Sequence, residues 1–156
     1  MRIIVAMMLS FGLMLAEQVE VVAERFNASE AAQKAVFTGN VKVTKGTDVL
    51  TSDVLTITFN AKKEPLMYEA TGNAKANITM NEVRYFASGK VLTYDPVALV
   101  YTVQENGFLH EIETDRKVYG ERITVNQATG SYAVDSKPSE PVKFIFQMNN
   151  QKESAQ

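Results

Sequence analysis

The chain has 156 residues, of which 46% are hydrophobic, and a formal net charge of −2. This length indicates one domain with enough apolar side chains for a buried core, and a nearly balanced charge without a run of Lys and Arg argues against nucleic acid as a partner. Because the chain has no Cys and a single His, disulfide frameworks, thiol chemistry and sites built from several histidines are excluded.

Residues 1–16 have the order of a secretory signal peptide. Arg2 precedes an apolar run of 13 residues from Ile3 to Leu15, and Ala16 is the small residue expected at the cleavage point. The run is shorter than the roughly 20 residues that a spanning helix needs. We therefore predict an exported protein. Met14 occupies a position where a small residue is preferred, so retention of this segment as a membrane anchor is the alternative.

Residues 17–146 form the predicted domain, and the alternation of apolar and polar residues there is typical of β-strands with one buried face. In the first clear strand, Val41 and Val43 share a face, and the sequence TKGTD then predicts a turn at Gly46. Residues 66–80 keep a single apolar parity for too long to be one straight strand, so a bend or bulge is expected near Gly72.

Three segments depart from this strand pattern. Residues 28–35, ASEAAQKA, are Ala-rich but too few for a stable helix, so they predict a short turn or helical loop between two strands. Residues 136–141 predict a loop before a last strand at residues 142–146. Residues 147–156 are polar without periodicity, which predicts a disordered tail.

Short sequences recur along the chain. TGNVKV at residues 38–43 returns as TGNAKA 33 positions later, and SDVLT at residues 52–56 is echoed by SGKVLT at 88–93 and GERIT at 120–124. A period of roughly 31 to 37 residues indicates stacked units, here hairpins, that bury their apolar faces against one another. Such a stack leaves open sheet edges, which favour self-association by strand addition.

The segment VFTGNVKVTKGT, the repeated TGN, the export signal and the length resemble the OstA-like family. This resemblance implies an all-β fold, an open, twisted β-jelly roll that is V-shaped and has about sixteen antiparallel strands. It also implies a periplasmic protein that shelters the acyl chains of lipopolysaccharide in an apolar groove and assembles end to end as a bridge between the membranes. The implied partners are lipopolysaccharide, further copies of the chain, and the inner-membrane C component and outer-membrane D component of the transport system.

The candidate lipid-binding residues are apolar side chains that share the inward parity of the predicted strands. They are Val21, Val41, Val43, Leu55, Ile57, Phe59, Tyr68, Ala76, Ile78, Leu92 and Tyr94. The alternative is that the same residues form the core of a closed sandwich. The small residues Gly72, Ala74 and Ala76 favour a groove, because small side chains on an inward face leave room for a ligand.

Charged residues suggest no catalytic or metal site. Glu111, Glu113 and Asp115 are predicted on one strand face, where a solvated surface is a better explanation than a Ca²⁺ site or an acid–base pair. Four lysines, Lys42, Lys45, Lys62 and Lys63, either meet lipid phosphates or belong to an ordinary surface. No catalytic residue, metal or cofactor is therefore expected.

Three other functions remain open from the sequence. They are the membrane-anchored C-type component of the same system, a structural β-repeat polymer without a lipid ligand, and, least favoured, an exported hydrolase of envelope glycans. The sequence carries no nucleotide-binding motif such as GxxxxGK[ST], so energy for directional transport has to come from elsewhere.

Overall fold

The computed structural model describes residues 18–148, and the predicted signal peptide and residues 149–156 lie outside them. The described chain forms ten strands: β1 (Val19–Val22), β2 (Arg25–Ser29), β3 (Lys34–Lys45), β4 (Asp48–Phe59), β5 (Pro65–Met80), β6 (Val83–Asp95), β7 (Val100–Glu111), β8 (Arg116–Asn126), β9 (Ser131–Asp135) and β10 (Lys143–Ile145). Between residues 18 and 148, there is no helix long and apolar enough to cross a membrane.

All ten strands belong to one antiparallel sheet in which β3 to β8 follow one another in chain order. At one end, β1 and β2 pair with the two halves of β3; at the other, β10 and β9 pair with the two halves of β8. The two end pairs do not pair with each other. The sheet is therefore open, as the sequence predicted, and each end consists of two short strands rather than one long one.

The TGN repeat marks a line of β-bulges across the sheet. Gly39 and Asn40 both have positive φ, of 86° and 44°, and Gly72 and Asn73 have φ of 77° and 48°. A third pair, Glu105–Asn106, stands 33 positions further with φ of 58° and 62°. The strand register shifts beside every pair. Because a bulge bends its strand and increases the local twist, the recurring pairs bend β3, β5 and β7 at one level.

The second repeat marks the same line in the intervening strands. In β4, the buried positions change from even to odd number between Ser52 and Leu55, so this strand changes parity at its bend. The matching positions of the echoed segments are Leu92 in β6 and Ile123 in β8. Leu55, Leu92 and Ile123 are among the largest side chains that are fully buried. Each repeat therefore supplies an apolar anchor at the bend.

The bulge line divides the sheet into two layers. The first layer contains β2, β9 and one half of each strand from β3 to β8. Those halves pair at residues 34–38, 54–59, 65–71, 91–95, 100–104 and 122–126. The second layer contains β1, β10 and the other halves of the same six strands. Counted this way, the ten strands give sixteen half-length segments, which accounts for the strand number that the family resemblance implied.

The inward faces of the two layers together form the core. The buried apolar side chains form one cluster to which both layers contribute, for example Leu55 and Val103 from the first layer and Val41 and Leu109 from the second. Direct contacts join the layers away from the bulge line: the Nζ atom of Lys45 in the second layer lies 3.4 Å from the hydroxyl of Tyr94 in the first. The alternation predicted from the sequence therefore buries two faces against each other.

The segment at residues 28–35 is only partly a turn. Strand β2 continues through Ser29, the turn occupies Glu30 to Gln33, and β3 begins at Lys34. The Ser29 hydroxyl accepts a hydrogen bond from the Ala32 N–H at 3.2 Å. The bend near Gly72 and the turn at Gly46, where φ is 58°, are both present as predicted.

Candidate functional site: an apolar cavity between the layers

A cavity of about 130 Å³ lies between the two layers at the β1 end of the sheet. The second layer contributes Val43 and Leu50, and the first contributes Leu55, Tyr68 and Tyr94. The remaining lining residues are Val19, Lys45, Asp48, Pro96 and Tyr101. Apart from Lys45 and Asp48, the wall consists of aliphatic and aromatic side chains, so this cavity suits an apolar ligand group.

Three tyrosines from adjacent strands form one wall of the cavity. The rings of Tyr68 and Tyr94 have centroids 6.0 Å apart, and the rings of Tyr94 and Tyr101 stack at 4.3 Å. The register places Tyr68 opposite Tyr94 and Tyr94 opposite Tyr101, so one cross-strand row carries all three rings. Such pairs add stability beyond the area they bury, which gives this wall a defined shape.

Lys45 is half-buried and lines the cavity at the end of β3. Its ammonium lies 5.2 Å from the centroid of the Tyr94 ring, within the range of a cation–π contact. Burial raises the pKa of the Tyr68 hydroxyl, whereas the nearby charge of Lys45 opposes that rise and Tyr94 adds to it. The Tyr68 hydroxyl is therefore neutral at physiological pH and keeps its proton for a hydrogen bond.

All eleven predicted lipid-binding residues face the interior, but they occupy different places in it. Four of them, Val43, Leu55, Tyr68 and Tyr94, line the cavity. The other seven pack within the core or at its border: Val21, Val41, Ile57, Phe59, Ala76, Ile78 and Leu92. Contact of any of the eleven with lipid stays a prediction.

Sequence reasoning missed three important lining residues, Val19, Leu50 and Tyr101. A signal for Tyr101 was present, because it follows Thr93 by the same eight positions that separate Tyr132 from Thr124 in the repeat. Leu50 was harder to assign, since the parity change in β4 places it on the same side as Leu55 although one position is even and the other odd.

The small residues of β5 do not leave free space. Ala70 and Ala74 are 0% exposed and Ala76 is 1% exposed, and none of the three lines the cavity. The prediction that Ala74 and Ala76 leave room for a ligand is wrong for this structure. Their small size lets the surrounding side chains pack close to the β5 backbone.

Enlarging this row tests that correction. Ala76→Leu is expected to lower the free energy of unfolding by about 1–3 kcal/mol, because added methylenes in a filled core force side chains from their preferred rotamers. Chemical denaturation followed by circular dichroism measures the change. The exposed neighbour provides the control, and Lys75→Leu is expected to change stability by less than about 0.5 kcal/mol. An unchanged midpoint for Ala76→Leu would restore the idea of free space.

A second, wider cavity of about 450 Å³ borders the same end of the sheet in the first layer. Its apolar lining includes Phe26, Ala35 and Phe59, and the Phe26 ring is 62% exposed while it packs 4.8 Å from the Phe37 ring. Lys63, also in the lining, pairs with Glu30 at 3.5 Å. This end of the sheet therefore presents apolar surface in both layers.

The acidic residues near the β7–β8 turn do not share a strand face. Strand β7 ends at Glu111, and Glu113 and Asp115 lie in the turn that follows, so the predicted common face is wrong. A hydrogen bond from Arg84, with Nε 2.7 Å from the carboxylate, lowers the pKa of Glu113. His110, with Nε2 2.8 Å from Oδ1, lowers the pKa of Asp115, and Lys117 adds to that effect.

The carboxylates of Glu113 and Asp115 therefore form ion pairs that join the turn after β7 to the neighbouring strands β6 and β8. In residues 18–148, no three His, Asp or Glu side chains lie close enough together to hold a metal ion. The sequence offers no signal for this arrangement, because Arg84 is 29 positions away from Glu113.

Comparisons with known proteins agree with this geometry. The family model described as LptA/(LptD N-terminal domain) LPS transport protein matches residues 20–131. A search among curated protein sequences returns no match. Among solved structures, LptH, described as the LptA homologous periplasmic component of the lipopolysaccharide transport device from Pseudomonas aeruginosa, superposes with a TM-score of 0.75 at 15% identity, over 85% of this chain and 96% of LptH.

The structural match shows the same open, bent β-sheet fold, and the sequence match covers most of the strands. Both confirm the resemblance indicated by the repeated TGN segments. The chain therefore belongs to the family of lipopolysaccharide transport proteins that comprises LptA and the N-terminal domain of LptD.

Proposed function

We propose that this protein carries lipopolysaccharide through the periplasm by sheltering acyl chains between the two layers of its sheet. The observation that carries this proposal is the apolar cavity at the β1 end, which both layers line. Exposing acyl chains to water is unfavourable by about 0.8 kcal/mol per CH₂ group. Apolar walls remove most of that barrier without covalent chemistry, so the protein acts as a carrier and not as an enzyme.

In the form described here, the cavity has room for only part of one acyl chain. Its volume of about 130 Å³ is similar to an engineered protein cavity of about 150 Å³ that binds benzene. Several acyl chains therefore require the layers to separate. Separation at the cavity, which borders the anchor Leu55 but neither Leu92 nor Ile123, keeps those two anchors in place and brings Tyr68, Tyr94 and Val43 into contact with lipid.

The open sheet ends support assembly into a bridge. Each of β1, β2, β9 and β10 pairs with one neighbour only, so each has an unpaired backbone edge within residues 18–148. Strand addition at such edges joins chains through backbone hydrogen bonds. We propose that copies join end to end, that the inner-membrane C component and the outer-membrane D component meet the two ends, and that the protein lies in the periplasm, as described for LptH.

Photocrosslinking in cells tests lipid contact directly. A photoreactive phenylalanine analogue at Tyr68, which lines the cavity, is expected to give a lipopolysaccharide adduct. The matched control is the adjacent Glu69, which is exposed. Successive strand residues point to opposite faces, so the control probe faces solvent at the same height of the sheet.

Equal labelling at Tyr68 and Glu69 would mean non-specific contact. No adduct at Tyr68, in exported and folded protein, would contradict carriage and favour the structural polymer, which forms filaments without lipid. The mass of the protein in the periplasmic and membrane fractions tests a further alternative, because a membrane-bound form that retains residues 1–16 would favour the membrane-anchored C-type component.

A further inference from the structure

We propose that Lys45 is the headgroup ligand of the cavity and recognises the phosphate of an anionic lipid whose acyl chain lies against Tyr68 and Tyr94. This inference rests on the proposed function and assigns chemistry to one residue of that site. It concerns the polar part of the ligand, which the apolar walls do not recognise.

The structure separates Lys45 from the other lysines near this end of the sheet. Lys42, Lys62 and Lys63 are exposed, whereas Lys45 is half-buried. Of these four, Lys45 alone lines the apolar cavity. Its side chain therefore forms part of the wall and places the ammonium beside Tyr94, and long basic side chains commonly lay their aliphatic stems along apolar surface in this way.

The ammonium already contacts the groups that a lipid would displace. Lys45 Nζ lies 3.4 Å from the Tyr94 hydroxyl and 5.2 Å from the centroid of the Tyr94 ring. This contact joins the end of β3 in the second layer to β6 in the first, and both residues line the cavity. An acyl chain that enters along Tyr94 brings its headgroup to the ammonium, so a phosphate oxygen takes the place of the phenol beside it.

A phosphate is a stronger partner than the phenol. A phosphomonoester carries a charge of about −1.5 to −2 at neutral pH and forms charge-assisted hydrogen bonds with an ammonium. The acidic residue Asp48 also lines the cavity and lies opposite Lys45 in the strand register of the hairpin. Its Oδ1 atom accepts a hydrogen bond from the Thr79 N–H at 2.9 Å, which holds part of that carboxylate toward β5.

The test compares phosphorylated lipid A with dephosphorylated lipid A of the same acyl chains, using the purified full protein. Wild-type protein is expected to bind the phosphorylated form about tenfold more tightly, as for one charged hydrogen bond. Lys45→Met keeps the apolar stem and removes the charge, so it is expected to bind both lipids equally. Lys45→Arg is expected to retain the preference, and Lys42→Met, on the outward side of the same strand, to match wild type.

Each other outcome has a definite meaning. A preference unchanged in Lys45→Met overturns the assignment of Lys45, and so does equal binding of both lipids by wild-type protein. Wild-type protein that binds neither lipid overturns the proposed function itself. Competition by millimolar inorganic phosphate, seen in wild type and lost in Lys45→Met, would show a free-anion site and overturn lipid headgroup recognition. Circular dichroism verifies folding, and Lys45→Gln carries the test if Lys45→Met does not fold.

Discussion

Leu55→Ala is expected to lower the free energy of unfolding by about 3 kcal/mol, within the range of about 2–5 kcal/mol for truncation of a buried leucine. Leu55 is 0% exposed and lies beside the bulge line, where β4 changes parity. The two layers meet at this level, so the surrounding backbone has little freedom to collapse into the vacated space. Urea denaturation followed by circular dichroism measures the loss.

The outward neighbour provides the matched control for this truncation. Thr56→Ala is expected to change stability by less than about 0.5 kcal/mol, since it removes only the hydroxyl and methyl groups of a half-buried side chain on the opposite face. Leu92→Ala is expected to resemble Leu55→Ala, because Leu92 occupies the same position in the repeat and is 1% exposed. A loss below about 1 kcal/mol for both leucines would contradict their role as anchors.

Gly72→Ala is expected to cost about 3 kcal/mol through two separate effects. Gly72 has φ of 77°, a backbone conformation that costs an L-residue about 1–2 kcal/mol. An added Cβ would also lie 2.8 Å from the Cβ of Asp53, so the two strands would have to move apart. Overpacking of this kind costs about 1–3 kcal/mol.

A second glycine separates the two effects. Gly46 has φ of 58°, but no atom outside Gly46 and its two chain neighbours lies within 4 Å of the position where a Cβ would stand. Gly46→Ala is therefore expected to cost only about 1–2 kcal/mol, the conformational part. Equal losses in the two variants, measured by thermal denaturation, would show that close approach of β4 and β5 at the bulge contributes nothing.

The sequence repeats predicted the architecture better than they predicted the site. The echo of TGN indicated stacked hairpins and a bend near Gly72, and the structure confirms both. The third bulge was not recognised, because Glu105–Asn106 adopts the same backbone conformation without glycine. Positive φ at a bulge is a property of the strand pairing there, and the residue type indicates it clearly only where glycine is present.

Prediction of the cavity lining was partial for a related reason. Alternation identified Tyr68 and Tyr94 on an inward face. It describes one strand at a time, however, and gives no information about how the strands of the two layers pack. The parity change in β4 hid Leu50, and the distance between layers decided that Ala74 and Ala76 are covered while Tyr68 borders a cavity. An inward-pointing side chain can therefore be predicted from alternation, but whether it contacts a ligand cannot.

The sequence by itself determined the all-β fold, the inward parity of most strands, the turn at Gly46 and the family, because these depend on local alternation and on repeated segments. Only the tertiary structure decided which inward residues pack within the core and which line a cavity, and which of four lysines lines that cavity. The physical reason is that bending at the bulges brings together side chains from distant positions, such as Lys45 and Tyr94, and their separation depends on how two whole layers pack.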